Sequence, residues 1–329
     1  MANIWDLMGH QWAATLLQNQ VNSDRLSHAY LFLGPSGIGK RDLALSFAKA
    51  INCLEPVEPG IFCNECRVCR QINRTQHPDL FVIQREDGDK DIKVNALREL
   101  QRNLSLAPYD AEYRVALILN FQYASISASN ALLKTLEEPH PKVILILTAE
   151  IPESLPLTIL SRCELLRLRP LAMESLTEQL AARGIAEKQA RLLAHVSGGR
   201  PSYAQQLHSE SDLLIQRTLW LDDQQNLLAS NRHDRFEYAQ KLGKDKPEFR
   251  QVLLTWSSLW RDVLLRSARA NSSIENSDRE QQIDVLAKNL DLDSIHRFLT
   301  ALQLTLSMLE TNINTRLAAE VLLLDMPNS

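Results

Sequence analysis

The apolar positions change period along the chain. Between residues 30 and 168, short apolar runs alternate with stretches of helical spacing. Tyr30–Leu33, Leu80–Gln84, Arg114–Leu119, Val143–Leu147 and Glu164–Leu168 read as strands. The runs after Arg114 and Val143 are continuous rather than alternating, as expected of central parallel strands buried on both faces. Between the runs lie helical patterns. Leu43, Leu45, Phe47, Ala48 and Ile51 fit a helix over 42–52, and Val94, Leu97, Leu100 and Leu104 a second. Ser127–Glu138 fits a third, stopped by Pro139. Residues 1–28 predict an amphipathic lead-in helix with Trp12, Leu16 and Leu17 on one face, and Glu86–Asp91 a charged turn around Gly88. Strands alternating with helices give a doubly wound α/β domain over residues 1–169.

The pattern changes at Pro170-Leu171. No strand is expected after it. Glu174–Ala182 and Ala186–His195 suit two short helices, and Gly198-Gly199-Arg200-Pro201 opens a third, which makes a small helical domain over 170–208. Residues 209–329 are helical as well. One face carries Val252, Trp256, Leu259, Trp260 and Val263. A second carries Ile295, Leu299, Leu302, Leu306 and Leu309, and a third Leu317, Val321 and Leu324. The two tryptophans, one turn apart, are expected in a core rather than on a base-stacking platform. Residues 270–280 read as an exposed loop.

Composition narrows the function classes only a little. The chain has 329 residues, 45% hydrophobic and 23% charged, with a formal net charge of −4. No overall basic field draws it onto nucleic acid. The N-terminus lacks the basic and apolar regions of a signal peptide, and no apolar run approaches the length that spans a bilayer. A cytoplasmic protein is expected.

Two stretches carry chemistry. The first runs from the strand Tyr30–Leu33 through Gly34-Pro35-Ser36-Gly37-Ile38-Gly39-Lys40-Arg41 into a helix. Strand, glycine loop and helix are the layout of a phosphate-binding loop, in which backbone N–H groups and the helix N-terminus converge on phosphate oxygens. Gly34, Gly37, Gly39 and Lys40 suit that role. Arg41 stands where a Ser or Thr hydroxyl would hold Mg²⁺. The plainer reading is a glycine loop kept for the tight turn. The second stretch is Cys53, Cys63, Cys66 and Cys69, four of the five cysteines. Thiolates at such spacing close a tetrahedral zinc site with no open position, hence a structural one. The alternatives are free thiols, with His77 as a substitute ligand, or an iron–sulfur cluster, which no redox motif accompanies.

Three stretches together resemble the bacterial DNA polymerase III clamp-loader subunits, members of the AAA+ family. They are Ser129-Asn130-Ala131-Leu132-Leu133-Lys134-Thr135-Leu136-Glu137-Glu138-Pro139, Leu157-Thr158-Ile159-Leu160-Ser161-Arg162-Cys163, and the cysteine module inserted after the first sheet helix. The resemblance covers residues 1–208; the C-terminal helices match only in type. It implies an AAA+ fold, a RecA-like parallel sheet with helices on both faces and a zinc module (53–69) over 1–169. A helical lid over 170–208 and an all-α collar for oligomerisation over 209–329 would follow.

Within that family, motor subunits (gamma/tau) hydrolyse ATP and stator-like subunits do not. Hydrolysis needs a loop hydroxyl and a strand-end Asp on Mg²⁺, and an adjacent Glu to polarise water. By alignment those positions are Arg41, Leu119 and Asn120, and Pro201 takes the place of a lid arginine, with Arg200 offset by one. The resemblance therefore implies a chain without its own ATPase or Mg²⁺, in which ATP or ADP binding at the loop stays open. It also implies that Arg162 reaches the ATP of a neighbouring subunit, where a planar guanidinium neutralises charge on the transferred phosphoryl group. The plainer reading of Arg162 is a surface ion pair. Asn130, Lys134, Glu137 and Glu138 are expected on a solvated helix face, and Cys163 as a small packed residue. Implied partners are gamma/tau and delta subunits and, through the complex, the sliding clamp and primed DNA at the nucleoid-associated replisome. No membrane partner is implied. The competing functions are a motor-type ATPase and a zinc-ribbon DNA-binding repair factor.

Overall fold

The computed structural model describes residues 5–86, 89, 91–309 and 313–327. By internal contacts the chain divides into two units. One is Met1–Gln179 with Gly199–Tyr203; the other is Leu180–Gly198 with Ala204–Ser329.

The first unit is built on a five-stranded parallel sheet. Its elements are α1 (Gln11–Asn22), β1 (Ala29–Leu33), α2 (Lys40–Asn52), α3 (Arg67–Asn73), β2 (Leu80–Ile83), α4 (Val94–Leu104), β3 (Arg114–Ile118), α5 (Ile126–Glu137), β4 (Val143–Ala149), α6 (Leu157–Leu160) and β5 (Glu164–Arg167). All five expected strands are present, each within two residues of its predicted ends. The strand order is β2-β3-β4-β1-β5. The strand before the glycine loop therefore lies between β4 and β5, with Leu31 opposite Leu147 on one side and Leu165 on the other. The parallel sheet with helices on both faces is the one expected from the sequence; its strand order was not.

Period-two alternation sorts each central strand onto two cores. Tyr30, Phe32, Val115, Leu117, Ile144 and Ile146 face the core that includes Phe47 and the cysteine module. Leu31, Leu33, Ala116, Ile118, Leu145 and Leu147 face the core of α4 and α5. Both faces are covered, which is why β1 and β4 carry no charged position and β3 only Arg114 at its start. The lead-in helix departs from expectation. Ala13, Ala14 and Leu17 are its buried face, whereas Trp12 and Leu16 are exposed. Small alanines let α1 approach closely, so the bulky residues turn outward. Of the charged turn Glu86–Asp91, residues 87, 88 and 90 lie outside the described residues, and the Asp89 N–H donates to the Glu86 carbonyl at 3.1 Å.

The chain continues through α7 (Met173–Ala181), α8 (Glu187–Val196), α9 (Pro201–Ser209), α10 (Ser211–Leu228), α11 (Arg232–Leu242), α12 (Lys246–Ser267), α13 (Glu280–Asn289), α14 (Leu292–Leu309) and α15 (Thr315–Leu324). Among the described residues no strand follows β5. The core of the second unit is centred on α12 and α14. Trp256 and Trp260 are fully buried, and Trp260 meets Phe298 edge-on with ring centroids 4.8 Å apart. Both tryptophans are therefore core, as expected. On α15 the buried face is Ala319, Leu322 and Leu323, and the expected face of Leu317, Val321 and Leu324 is exposed. That helix is apolar on two sides, and periodicity alone does not choose between them.

Residues 270–280 are not the wholly exposed loop the composition suggests. Asn276 is 2% exposed. Its backbone N–H and its side-chain amide both donate to Asp262 Oδ2 on α12, at 2.7 and 2.8 Å, and its Oδ1 accepts from Arg217 on α10 at 2.6 Å. Arg217 also pairs with Asp278 at 2.7 Å. On α8, His195 Nδ1 lies 2.7 Å from the Ile274 carbonyl oxygen. Polar residues here are drawn inward by one another, which a hydropathy pattern does not register. Asn276→Ala would leave the Asp262 carboxylate and Arg217 short of partners in a buried site. It is expected to cost about 2 kcal/mol in urea unfolding, with little change in the denaturant slope.

Candidate functional site: a covered phosphate loop, an exposed arginine and a thiolate cluster

The glycine loop leaves β1 and wraps into α2. Gly37 and Gly39 have φ of 76° and 104°, in the left-handed region that a side chain disfavours. The space above the loop is taken by the chain's own segment 199–203. The Tyr203 N–H donates to the Gly37 carbonyl at 3.0 Å. A Cβ on Gly37 would fall 2.6 Å from that of Tyr203. Ser202 Oγ donates to Asp42 of α2. Arg200 stacks over the Tyr203 ring, 4.7 Å from its centroid. From the other side His10, buried, sets Nε2 2.9 Å from the Ile38 carbonyl oxygen.

Lys40 turns back on its own loop. Its ammonium donates to the carbonyls of Gly34 and of Pro35, the latter at 3.0 Å. Burial pulls its pKa down to about 8, an effect that Glu150 partly opposes. Glu150, just beyond β4, was not singled out by sequence reasoning. Its position one residue after a buried strand is the signal that was there to use. Thr148 is a second such residue. It is buried, and its Oγ1 accepts from the Asn120 N–H at 2.8 Å, fixing the end of β3. At that end Leu119 points into the core and Asn120 is exposed in a left-handed turn with φ 53°. No carboxylate stands at either position.

Arg162 follows α6. Its NH1 donates to the Thr158 carbonyl at 3.0 Å and to Ser161 Oγ at 3.2 Å, and its NH2 to Glu137 Oε1 at 2.7 Å. The pair is open to solvent, with side-chain exposures of 33% and 51%. Within the single chain Arg162 thus makes the surface ion pair that was the plainer of its two expectations. Leu157, first residue of α6, is 80% exposed. Asn130, Lys134 and Glu137 lie on the exposed face of α5 and Glu138 just past its end, exposed as well, with Leu132 and Leu136 buried behind them. Cys163 is half-buried and packed against the core, and burial pushes its thiol up to about 12.

The four clustered cysteines converge. Their Sγ atoms all lie within 4.8 Å of one another, with Cys53 3.6 Å from Cys63 and 4.0 Å from Cys66. A tetrahedron with zinc–sulfur bonds of about 2.3 Å has edges of about 3.8 Å. Backbone N–H groups are aimed at the sulfurs. Cys63 donates to Cys53 at 3.3 Å, Cys66 to Cys63 at 3.2 Å and Cys69 to Cys66 at 3.4 Å. Donors on sulfur favour thiolate over thiol, the form a metal binds. At Cys66, burial pushes the thiol up, but hydrogen bonds outweigh it and bring it to about 7, whereas at Cys53 and Cys69 burial wins and the thiols are pushed up. Donor set and spacing fit zinc. His77 stands apart from the cluster, its Nδ1 accepting from the Asp79 N–H at 3.1 Å. The module is fastened to α2 by Trp5, whose ring contacts Phe47 and Phe62 and whose Nε1 donates to the Gly60 carbonyl at 2.8 Å.

The chain is similar to known proteins. The family model described as DNA polymerase III, delta subunit matches residues 9–172, and that described as DNA polymerase III, delta subunit, C terminal matches residues 211–327. The DNA polymerase III subunit delta' of Bacillus subtilis is 39% identical over 183 residues, 55% of this chain and 54% of that one. The subunit delta' of Pseudomonas aeruginosa is 34% identical over 204 residues, 61% of this chain and 62% of that one. The subunit tau of Bacillus subtilis is 41% identical over 160 residues, 48% of this chain and 28% of that one. The match spans about half to three fifths of the delta' relatives' length. With the two family models covering most of its length, the chain belongs to the DNA polymerase III delta-subunit family.

Proposed function

We propose that this chain is a delta-prime-type stator of the DNA polymerase III clamp loader. It does not turn over ATP itself, and it offers Arg162 to the ATP site of an adjacent gamma/tau motor subunit. The observation that carries the reading is the phosphate loop. Its ammonium is spent on its own carbonyls, its upper face is covered by Tyr203 and Ser202, and the residues that would hold Mg²⁺ are Arg41 and Leu119. A loop so occupied offers a triphosphate neither space nor metal, whereas Arg162 and the exposed Leu157 beside it stay accessible to a partner.

The partition into an AAA+ domain (1–169), a lid (170–208) and a collar (209–329) belongs to the same proposal. The stripe of Leu317, Val321 and Leu324 supports it, since contiguous exposed apolar side chains mark protein contacts. Gamma/tau and delta subunits would be the immediate partners, with the sliding clamp and primed DNA engaged by the assembly. Four thiolates would hold one structural zinc, which supplies cross-linking and no reactive position.

Nucleotide titration of the purified chain tests the loop. No saturable ATP or ADP binding tighter than about 1 mM is expected, with or without Mg²⁺, and no turnover. Magnesium-dependent hydrolysis at motor-like rates would overturn the stator assignment in favour of a motor subunit.

A further inference from the structure

We propose that Lys49 is the counter-cation of the thiolate centre, a positioning residue that steadies the Cys63–Cys66 knuckle and slows loss of the metal. The proposal concerns the zinc module alone and stands whether or not the stator assignment does.

Lys49 lies near the end of α2, one turn before Cys53, and is 7% exposed. A lysine is seldom buried to this degree without a partner for its charge. Among the described residues no carboxylate makes an ion pair with it. Its ammonium instead donates to Asn64 Oδ1 at 2.9 Å and sits 4.0 Å over the Phe62 ring. Phe62 and Asn64 flank Cys63, so one cation holds both sides of a single ligand. Asn64 has φ 63°, the left-handed turn that brings Cys66 back toward Cys63. Anchoring its side chain fixes that turn.

The electrostatics explain why a cation belongs there. Zinc with four thiolates carries a net double negative charge. Backbone N–H groups offset part of it, but they are partial charges. A buried ammonium supplies a full one, in a medium where water does not screen it. The geometry sets that charge beside the knuckle, since the ammonium meets both residues that flank Cys63. Stabilising the thiolates against protonation and ligand exchange is the function of such outer groups, and their removal typically weakens a metal site about 10- to 100-fold.

The test follows zinc loss from the full-length, zinc-loaded chain to excess chromophoric chelator. Lys49→Met keeps the apolar stem and removes the charge, and is expected to speed zinc loss roughly 10-fold or more. Lys49→Arg keeps the charge and the contact with Phe62, and is expected to restore nearly the parent rate. Asn64→Asp changes an exposed residue and neutralises the ammonium without removing it. It too is expected to speed release, and it keeps the test open should Lys49→Met not fold. Unchanged release in Lys49→Met or in Asn64→Asp would overturn the proposal. So would Lys49→Arg releasing zinc as fast as Lys49→Met, which would reduce Lys49 to packing.

Discussion

Arg162→Ala is expected to cut ATP turnover at the one adjoining motor site by roughly 10³-fold or more, the usual contribution of an arginine finger, while the complex still assembles. The single-chain geometry explains why the loss falls on chemistry and not on folding. The Arg162–Glu137 pair is half-exposed, and pairs of that kind contribute about 0–1 kcal/mol. The guanidinium can therefore leave Glu137 for a phosphate at little cost, and its removal scarcely affects the fold. The hydrogen bonds of NH1 to Thr158 and Ser161 come from the same short segment, so they set the direction of the side chain before any partner arrives. Arg162→Lys is expected to rescue poorly, because an ammonium cannot span two phosphoryl oxygens in a plane. The measurement is DNA-stimulated hydrolysis by complexes whose other motor sites are silenced. Unchanged turnover in the alanine variant would remove Arg162 from the mechanism.

The sheet was legible because both of its faces are buried. Val115 to Ile118 and Val143 to Leu147 have no solvent side, and an unbroken apolar run has few other readings. The cysteine cluster was legible for a different reason: its chemistry is carried by residue type and spacing. Surfaces where both sides of a helix are apolar were not. On α15, Leu317, Val321 and Leu324 satisfy the helical period as well as Ala319, Leu322 and Leu323 do, and only tertiary packing decides which set is covered. On α1 the alanines, weak signals in a hydropathy count, won the core from Trp12 and Leu16. The site was harder still. Arg41, Leu119 and Asn120 spoke from the sequence, because a missing hydroxyl and missing carboxylates can be read from alignment to a motif. That Tyr203 lies on Gly37 could not be, since it joins segments 166 residues apart through one backbone hydrogen bond and a close approach. Lys49 escaped notice for a similar reason. A lone lysine in a helix reads as a solvated charge until its burial is known.

Removing the metal should have the largest structural consequence. Between Cys53 and Cys66 the chain has almost no regular structure, only an isolated bridge between Glu58 and Ile61. Besides the hydrogen bonds of Trp5 to Gly60 and Lys49 to Asn64, the convergence of the four sulfurs closes it, and metal binding at such sites supplies folding free energy directly. Yet the module is not peripheral. Phe62, Cys66, Val68, Cys69 and Ile72 belong to the same core as Phe47 and Tyr30. Cys66→Ser, or zinc stripping by a strong chelator, is therefore expected to disorder 53–69 and to loosen one face of the sheet. A loss of about 3 kcal/mol would lower the thermal midpoint by roughly 10 °C. The zinc content of the purified chain should fall from one per molecule toward zero in Cys66→Ser. In the stripped protein four thiols should react rapidly with a thiol reagent, while Cys163, half-buried with its thiol pushed up to about 12, stays slow. The contrast within one molecule separates local disorder of the module from global unfolding, which would expose all five thiols together. A chain that binds no zinc as purified, or whose melting and thiol reactivity ignore the chelator, would show that the four cysteines hold the module by packing alone.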